Sequence, residues 1–236
     1  MTNILITGAS RGIGYELVKQ FAADLNNHIV VLSRNLNKLE QLKQQCEQLY
    51  KNTIHIYSID FASSNFHHQF HELLKKENKH FHIVINNAGV LINKPFTETT
   101  TTDWQTVFTI NVFAPATIIK EVIHCNKKNE QTHVVNISSM GGFQGSVKFT
   151  GLSVYSASKA ALANLTEVLA EEYKETNIKI NCLALGAAQT EMLQEAFPDY
   201  QAPVSAKQMA TYIKEFSLSG DKFFNGKILP VSVSTP

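Results

Sequence analysis

Short apolar runs alternate along this chain with amphipathic stretches. Residues 3–7, 28–33, 53–59, 82–86, 132–138 and 178–185 are rich in Ile, Val and Leu, the near-continuous pattern of strands buried on both faces. Between them, 15–25, 35–50, a stretch beginning near Ser63, 103–126 and 160–173 carry helix formers with apolar residues at helical spacing. Such alternation predicts an α/β chain, with a doubly wound parallel sheet between helical layers and one domain over 1–236. Beyond Gly186 the pattern weakens. It predicts a short helix over 190–197, a loop over 199–203, a helix over 206–217 and a last strand over 226–233, where Pro230 marks an edge or an early end. Asn111 and Pro115 predict a break inside the 103–126 helix.

Composition narrows the partners. Of 236 residues 44 % are hydrophobic and 17 % charged, the balance of a self-folding globular chain. The net charge is +1, with no basic block, so nucleic acid is not an expected partner and small neutral molecules are. No charged leader and no bilayer-spanning run is read from the sequence, so a cytoplasmic, membrane-free protein is expected. Cys46, Cys125 and Cys182 are odd in number and unpaired in spacing, which supports neither a disulfide framework nor a zinc site. His67, His68 and His71 crowd one helical turn, a spacing that can hold a metal. With no carboxylate or Cys at suitable spacing they read as exposed histidines, and no metal is expected.

Candidate chemistry sits where the apolar runs end. The first run leads into Gly8-Ala-Ser-Arg-Gly12-Ile-Gly14 and then a helix. In that context the glycines allow a tight turn and a close approach of backbone to a pyrophosphate at the helix N-terminus. After the second run, Ser33 and Arg34 stand where an acidic residue would hold the ribose hydroxyls of NAD; a guanidinium there, with Arg11 in the glycine loop, favours a 2′-phosphate. Against this, Arg34 is read as solvated and Arg11 as capping the loop. Asp60 ends the third run and either accepts from an adenine amino group or caps the next helix. Asn87-Ala88-Gly89 ends the fourth and leaves room for a flat ring. Ser138 and Ser139 end the fifth, where Ser139 is placed to orient a carbonyl oxygen. Tyr155 and Lys159 are four apart on a helix, which sets a proton donor beside a permanent cation.

Taken in chain order, residues 7–14, Asp60, 86–89, Asn111, Ser139, Tyr155 with Lys159, and Gly186 leading to Thr190 resemble the short-chain dehydrogenase/reductase family in its compact single-domain form. The resemblance implies a Rossmann-type sheet of seven parallel strands and a catalytic tetrad of Asn111, Ser139, Tyr155 and Lys159. It implies cofactor contacts from Gly8, Ser10, Arg11, Gly12, Ile13, Gly14, Ser33, Arg34, Asp60, Phe61, Asn87, Ala88, Gly89, Tyr155, Lys159, Gly186 and Thr190, with NADP(H) preferred over NAD(H). In the implied reaction a carbonyl is reduced to an alcohol. Tyr155 protonates the alkoxide, Ser139 hydrogen-bonds the same oxygen, Lys159 holds the ribose hydroxyls and lowers the Tyr155 pKa, and Asn111 anchors a water behind the lysine. A homodimer or homotetramer is also implied. Three departures from the family pattern stand out: a longer segment from Ser139 to Tyr155, Leu185-Gly186 in place of Pro-Gly, and a short segment after Thr190 with Ser-Thr-Pro236 in place of a glycine-rich tail. The competing reading is a non-catalytic regulatory protein of this fold that senses NADP.

Overall fold

The computed structural model describes residues 1–126 and 130–233, so the Ser-Thr-Pro236 tail lies outside the described residues. Seven strands form one sheet: β1 (Thr2–Thr7), β2 (Asn27–Ser33), β3 (His55–Ser58), β4 (Ile83–Asn86), β5 (Thr132–Ser139), β6 (Ile178–Leu185) and, after two short strands described below, β9 (Ile228–Val231). Their order is β3-β2-β1-β4-β5-β6-β9, and every neighbouring pair is parallel. This is the doubly wound architecture the sequence predicts. The strand order reverses between β1 and β4, which opens a crevice at the carboxyl ends of the strands.

Alternation along β1 shows why the runs are apolar throughout. Ile4 and Ile6 pack on one face against α1 (Gly12–Ala22), α2 (Leu36–Tyr50) and α8 (Ala206–Ser219), through Leu17, Phe21, Leu39, Leu42 and Ile213. Leu5 points the other way, into a second core with Phe70 of α3 (Phe66–Glu77), Ile118 of α5 (Ala114–His124) and Ala170 of α6 (Ser153–Glu172). Both faces being covered, the central strands are apolar over most of their length, and the polar residues they do carry, such as Asn86, Asn136 and Asn181, are buried.

Helix signals match the local chemistry. Asn35 caps α2 by accepting from the Lys38 N–H at 3.0 Å, and Thr100 with Asp103 forms a capping box at α4 (Thr101–Phe108). The break predicted at Asn111 is a π-helical turn, Thr109–Phe113, and Pro115, which brings no N–H to the helical ladder, follows it directly in α5. The helix is therefore continuous over Thr101–His124, and an 18-residue window within it, of mean hydropathy 1.4, would suit a bilayer by length and composition. That corrects the expectation that no such stretch exists; half of it is buried in this fold as a core helix. Pro230 lies in β9, which among the described residues pairs with β6 alone, so it sits on the edge its missing N–H requires. The sequence pattern did not reveal the two-residue strands β7 (Ala188–Gln189) and β8 (Val204–Ser205), which pair with each other and flank α7 (Glu191–Ala196).

Candidate active site

The carboxyl ends of β1, β4, β5 and β6 bring the candidate residues together. Gly8 has φ +72°, and a Cβ there would lie 2.6 Å from the Cα of Ala88, so only glycine lets the two strand ends meet. The Thr7 hydroxyl accepts from the N–H groups of Asn87 (3.1 Å) and Ala88 (3.0 Å), and the Asn87 amide donates to the carbonyls of Thr7 and Gly8. Asn87 and Ala88 thus brace the glycine loop. No side chain caps α1 among the described residues, and its first turn holds no acidic group, so its free N–H groups face the loop. A pyrophosphate fits such an end.

Behind this loop stands the tyrosine. Tyr155 and Ser139 are half-buried and close enough for their hydroxyls to interact, and Ser139 Oγ accepts from the Gly141 N–H at 3.1 Å. Burial pushes the Tyr155 phenol up, and the Ser139 hydrogen bond pulls it part of the way back. Burial of Tyr155 thus outweighs the depression expected from a neighbouring cation. Lys159 is only 4 % exposed, with Nζ 5.8 Å from the centroid of the Tyr155 ring and 2.8 Å from the Ile137 carbonyl it donates to. Burial brings its own pKa down to about 8.

Asn111 is fully buried in the π turn. Its amide donates to the Val90 carbonyl and the Ser158 hydroxyl, both at 3.0 Å, and its oxygen accepts from the Val90 N–H at 2.9 Å. Ser158 in turn donates to the Tyr155 carbonyl at 2.6 Å. Asn111 therefore ties the β4 end to the tyrosine helix. A Cβ at Gly89 would come within 3.4 Å of both Asn111 Oδ1 and Lys159 Nζ, which shows the space kept open over the lysine.

Other expected residues stand further out. Ser33 is buried and Arg34 exposed at the end of β2. Arg11 is not free: its guanidinium forms a two-armed ion pair with Glu195 of α7. The Glu195 hydrogen bond holds the guanidinium above its ordinary value, against partial burial. Asp60 is exposed and accepts from the Ala62 N–H, so it shapes a turn and does not cap α3, which begins after Asn65. Phe61 is buried edge-to-face against Phe66, so its ring belongs to the core and only its backbone can reach a ligand. Ser10, Arg11 and Gly12 line a cavity of about 190 Å³ with Lys38 and Gln41 of α2 and Glu191 of α7, while Ile13 packs against the core. Thr190 caps α7 and lies against Gly12; Gly186 donates to the Val231 carbonyl, with no room for a Cβ beside Ser232.

Sequence reasoning missed Lys38, Glu195 and Asn93. Lys38 sits four residues after Arg34, a spacing that could have flagged it. Asn93 had no signal: its amide donates to the Ala196 carbonyl of α7 at 2.9 Å, and Lys94 N–H donates to the Gly151 carbonyl at 2.9 Å. His67 and His71 do have a carboxylate, contrary to the spacing argument. Glu121, from α5, lies 3.0 and 3.2 Å from them.

A family model described as "short chain dehydrogenase" matches residues 2–201. The chain belongs to that family. It is an oxidoreductase of the short-chain dehydrogenase/reductase type, with a Rossmann fold. Among curated relatives, human retinol dehydrogenase 8 is 33 % identical over 190 residues, 80 % of this chain and 59 % of that protein. Dehydrogenase/reductase SDR family member 11 of Gallus gallus is 29 % identical over 79 % of this chain and 74 % of its own length. Among solved structures, a short-chain dehydrogenase from Shigella flexneri complexed with NADP superposes with TM-score 0.86 at 26 % identity, covering 97 % of this chain and 96 % of that one. A 4-hydroxyisoleucine dehydrogenase mutant complexed with NADH and succinate gives 0.85 at 25 % identity, covering 98 % and 97 %.

Proposed function

We propose that this short-chain dehydrogenase is an NADPH-dependent carbonyl reductase that forms an alcohol from a ketone, aldehyde or oxoacyl group. The observation that carries the reading is the half-buried Tyr155 hydroxyl beside Ser139, with the buried Lys159 Nζ 5.8 Å from the centre of its ring. A regulatory protein that only senses NADP has no need of a tethered proton donor. When bound, the nicotinamide supplies the hydride. Ser139 orients the carbonyl oxygen, and Tyr155 donates its proton to that oxygen as negative charge develops. Lys159 stabilises the tyrosinate left behind and holds ribose hydroxyls, while Asn111 fixes the Val90 backbone and the tyrosine helix. Gly8, Gly12 and Gly14 with the α1 N-terminus hold the pyrophosphate, and Asn87, Ala88 and Gly89 flank the nicotinamide side. Exposed Val147 and Phe149 on the loop before Tyr155, with the likeness to a retinol dehydrogenase, support an apolar group next to the carbonyl. The test is NADPH oxidation against a panel of ketones, aldehydes and oxoacyl thioesters; no turnover on any of them, with partner binding that responds to NADPH, would favour the regulatory reading.

Arg34, Lys38 and Arg11 are the charges that support NADP(H) over NAD(H). Glu195 competes with a 2′-phosphate for Arg11. Arg34→Asp is therefore expected to weaken NADPH binding selectively, and Glu195→Gln to strengthen it, each by about tenfold, the effect of roughly 1.4 kcal/mol. Fluorescence titration with NADPH and NADH reads both; an equal loss for the two cofactors in Arg34→Asp would remove the charge argument.

The protein is further proposed to act in the cytoplasm as a homodimer or homotetramer. Phe113 in the π turn and Val168 on α6 are more than half exposed, and both suit a buried contact between copies.

A further inference from the structure

At the amino end of the sheet, opposite the candidate active site, β2, β3 and α3 converge on one carboxylate. Glu77, the last residue of α3, has a side chain only 3 % exposed. His28 Nε2 lies 2.8 Å from its Oε2 and His55 Nδ1 lies 3.0 Å from its Oε1, and the Tyr57 hydroxyl donates to Oε1. The two imidazoles meet edge-on with centroids 4.3 Å apart. One ligand atom from each of His28, His55 and Glu77 lies within 4.8 Å of the other two.

We propose that His28, His55 and Glu77 form a binding site for a divalent transition metal of the zinc class, with the fourth position open to solvent beside His55. Two imidazoles and a carboxylate are a donor set suited to zinc. Tetrahedral zinc with bonds of ~2.0–2.1 Å sets its ligand atoms about 3.3 Å apart; the two histidine–carboxylate distances, 2.8 and 3.0 Å to different oxygens of Glu77, open slightly to reach that spacing, and all three ligand atoms already lie within 4.8 Å of one another. Coordination takes the lone pairs of His28 Nε2 and His55 Nδ1; the ring protons then sit on the opposite nitrogens, and any imidazolium proton leaves to solvent.

Electrostatics agree with the geometry. Burial lowers the His28 pKa and so favours the neutral ring a metal needs. Burial pushes the Glu77 carboxyl up, but hydrogen bonds from Tyr57 and His28 and the nearby His55 more than offset it, leaving an ionised ligand. Tyr57 is held up by burial and by Glu77, so it remains a hydroxyl able to orient the carboxylate once the imidazoles turn to the metal. Entry is through His55, 42 % exposed. Lys76, over the Tyr57 ring, and Lys79 are exposed cations on flexible stems, free to swing away.

A second group, His80, His82 and Glu130, lies at the same end of the sheet. There His82 Nδ1 accepts from the Asn3 N–H and His80 Nε2 lies 3.0 Å from the Gln131 carbonyl, so backbone already holds those nitrogens. It serves as the control. The two sites and the reductase reading are independent, since neither cluster touches Tyr155 or the glycine loop.

The experiment is titration of metal-free protein with Zn²⁺ by calorimetry, and with Co²⁺ by its visible absorption, which is stronger for tetrahedral than for octahedral coordination. The expected result is one tight site per chain, a raised Tm, and a tetrahedral cobalt band. His55→Ala, an exposed position that leaves folding intact, should abolish the band and weaken binding by more than the 10- to 100-fold typical of losing an outer partner. Tyr57→Phe should fall within that 10- to 100-fold range, and His82→Ala should change nothing. Equal binding by the wild type and His55→Ala, loss of the site in His82→Ala, or no binding at all would overturn the proposal.

Discussion

Tyr155→Phe is expected to lower carbonyl-reduction turnover by about 10²- to 10⁴-fold, the share a positioned proton donor contributes. NADPH affinity should change far less. Phenylalanine fills the same half-buried space, and the glycine loop and the α1 N-terminus that carry the pyrophosphate are untouched. What disappears is the hydroxyl beside Ser139. Steady-state NADPH oxidation on the best substrate of the panel, together with a fluorescence titration of the cofactor, separates the two effects. Equal turnover in both proteins would sink the assigned mechanism.

Lys159→Met is expected to do two opposite things. Turnover should fall by at least about 10²-fold, since the cation that stabilises the tyrosinate is gone. Stability of the cofactor-free protein at neutral pH should rise, by up to about 3 kcal/mol. The sign follows from the direction of the shift: burial takes Lys159 from 10.5 in the unfolded chain to about 8 in the fold. Between those values the unfolded chain binds more protons than the folded one, so wild-type stability climbs as pH rises through the window. Below about 8 the penalty is fully present, and above 10.5 it has vanished. Methionine removes both the penalty and the slope. Urea unfolding of the two proteins at several pH values measures this, and parallel stability curves would show that the buried charge costs the fold nothing.

Strand runs, glycine positions and the four-residue step from Tyr155 to Lys159 are local patterns, and the π turn at Asn111 and the edge position of Pro230 follow from the same local chemistry. Helix starts drifted where several polar residues compete for the cap, as between Ser63 and Asn65 before α3. Pairings across long sequence distance that no motif carries were not legible. Glu195 reaches Arg11 across the crevice, Glu121 reaches His67 and His71, and Glu77 gathers His28, His55 and Tyr57; no spacing rule links those residues. The direction of the Tyr155 shift was also missed, because burial is set by the packing of α6 against its neighbours and not by the residue four places away.

Asn93 and Gly151 bear on how substrate range could be redesigned. The 90–95 segment, the loop before Tyr155 and α7 are joined at the rim through the Asn93 bond to Ala196 and the Lys94 bond to Gly151. Gly151 has φ +81°, and a Cβ there would sit 2.0 Å from Asn93 Oδ1. Three stretches far apart in the chain are thus tied together through residues 93 and 94. A library that varies 143–150 while keeping Gly151 and Asn93 would change the loop before Tyr155 and leave these ties in place, whereas a transplanted loop carrying any larger residue at 151 would push Asn93 away and break them.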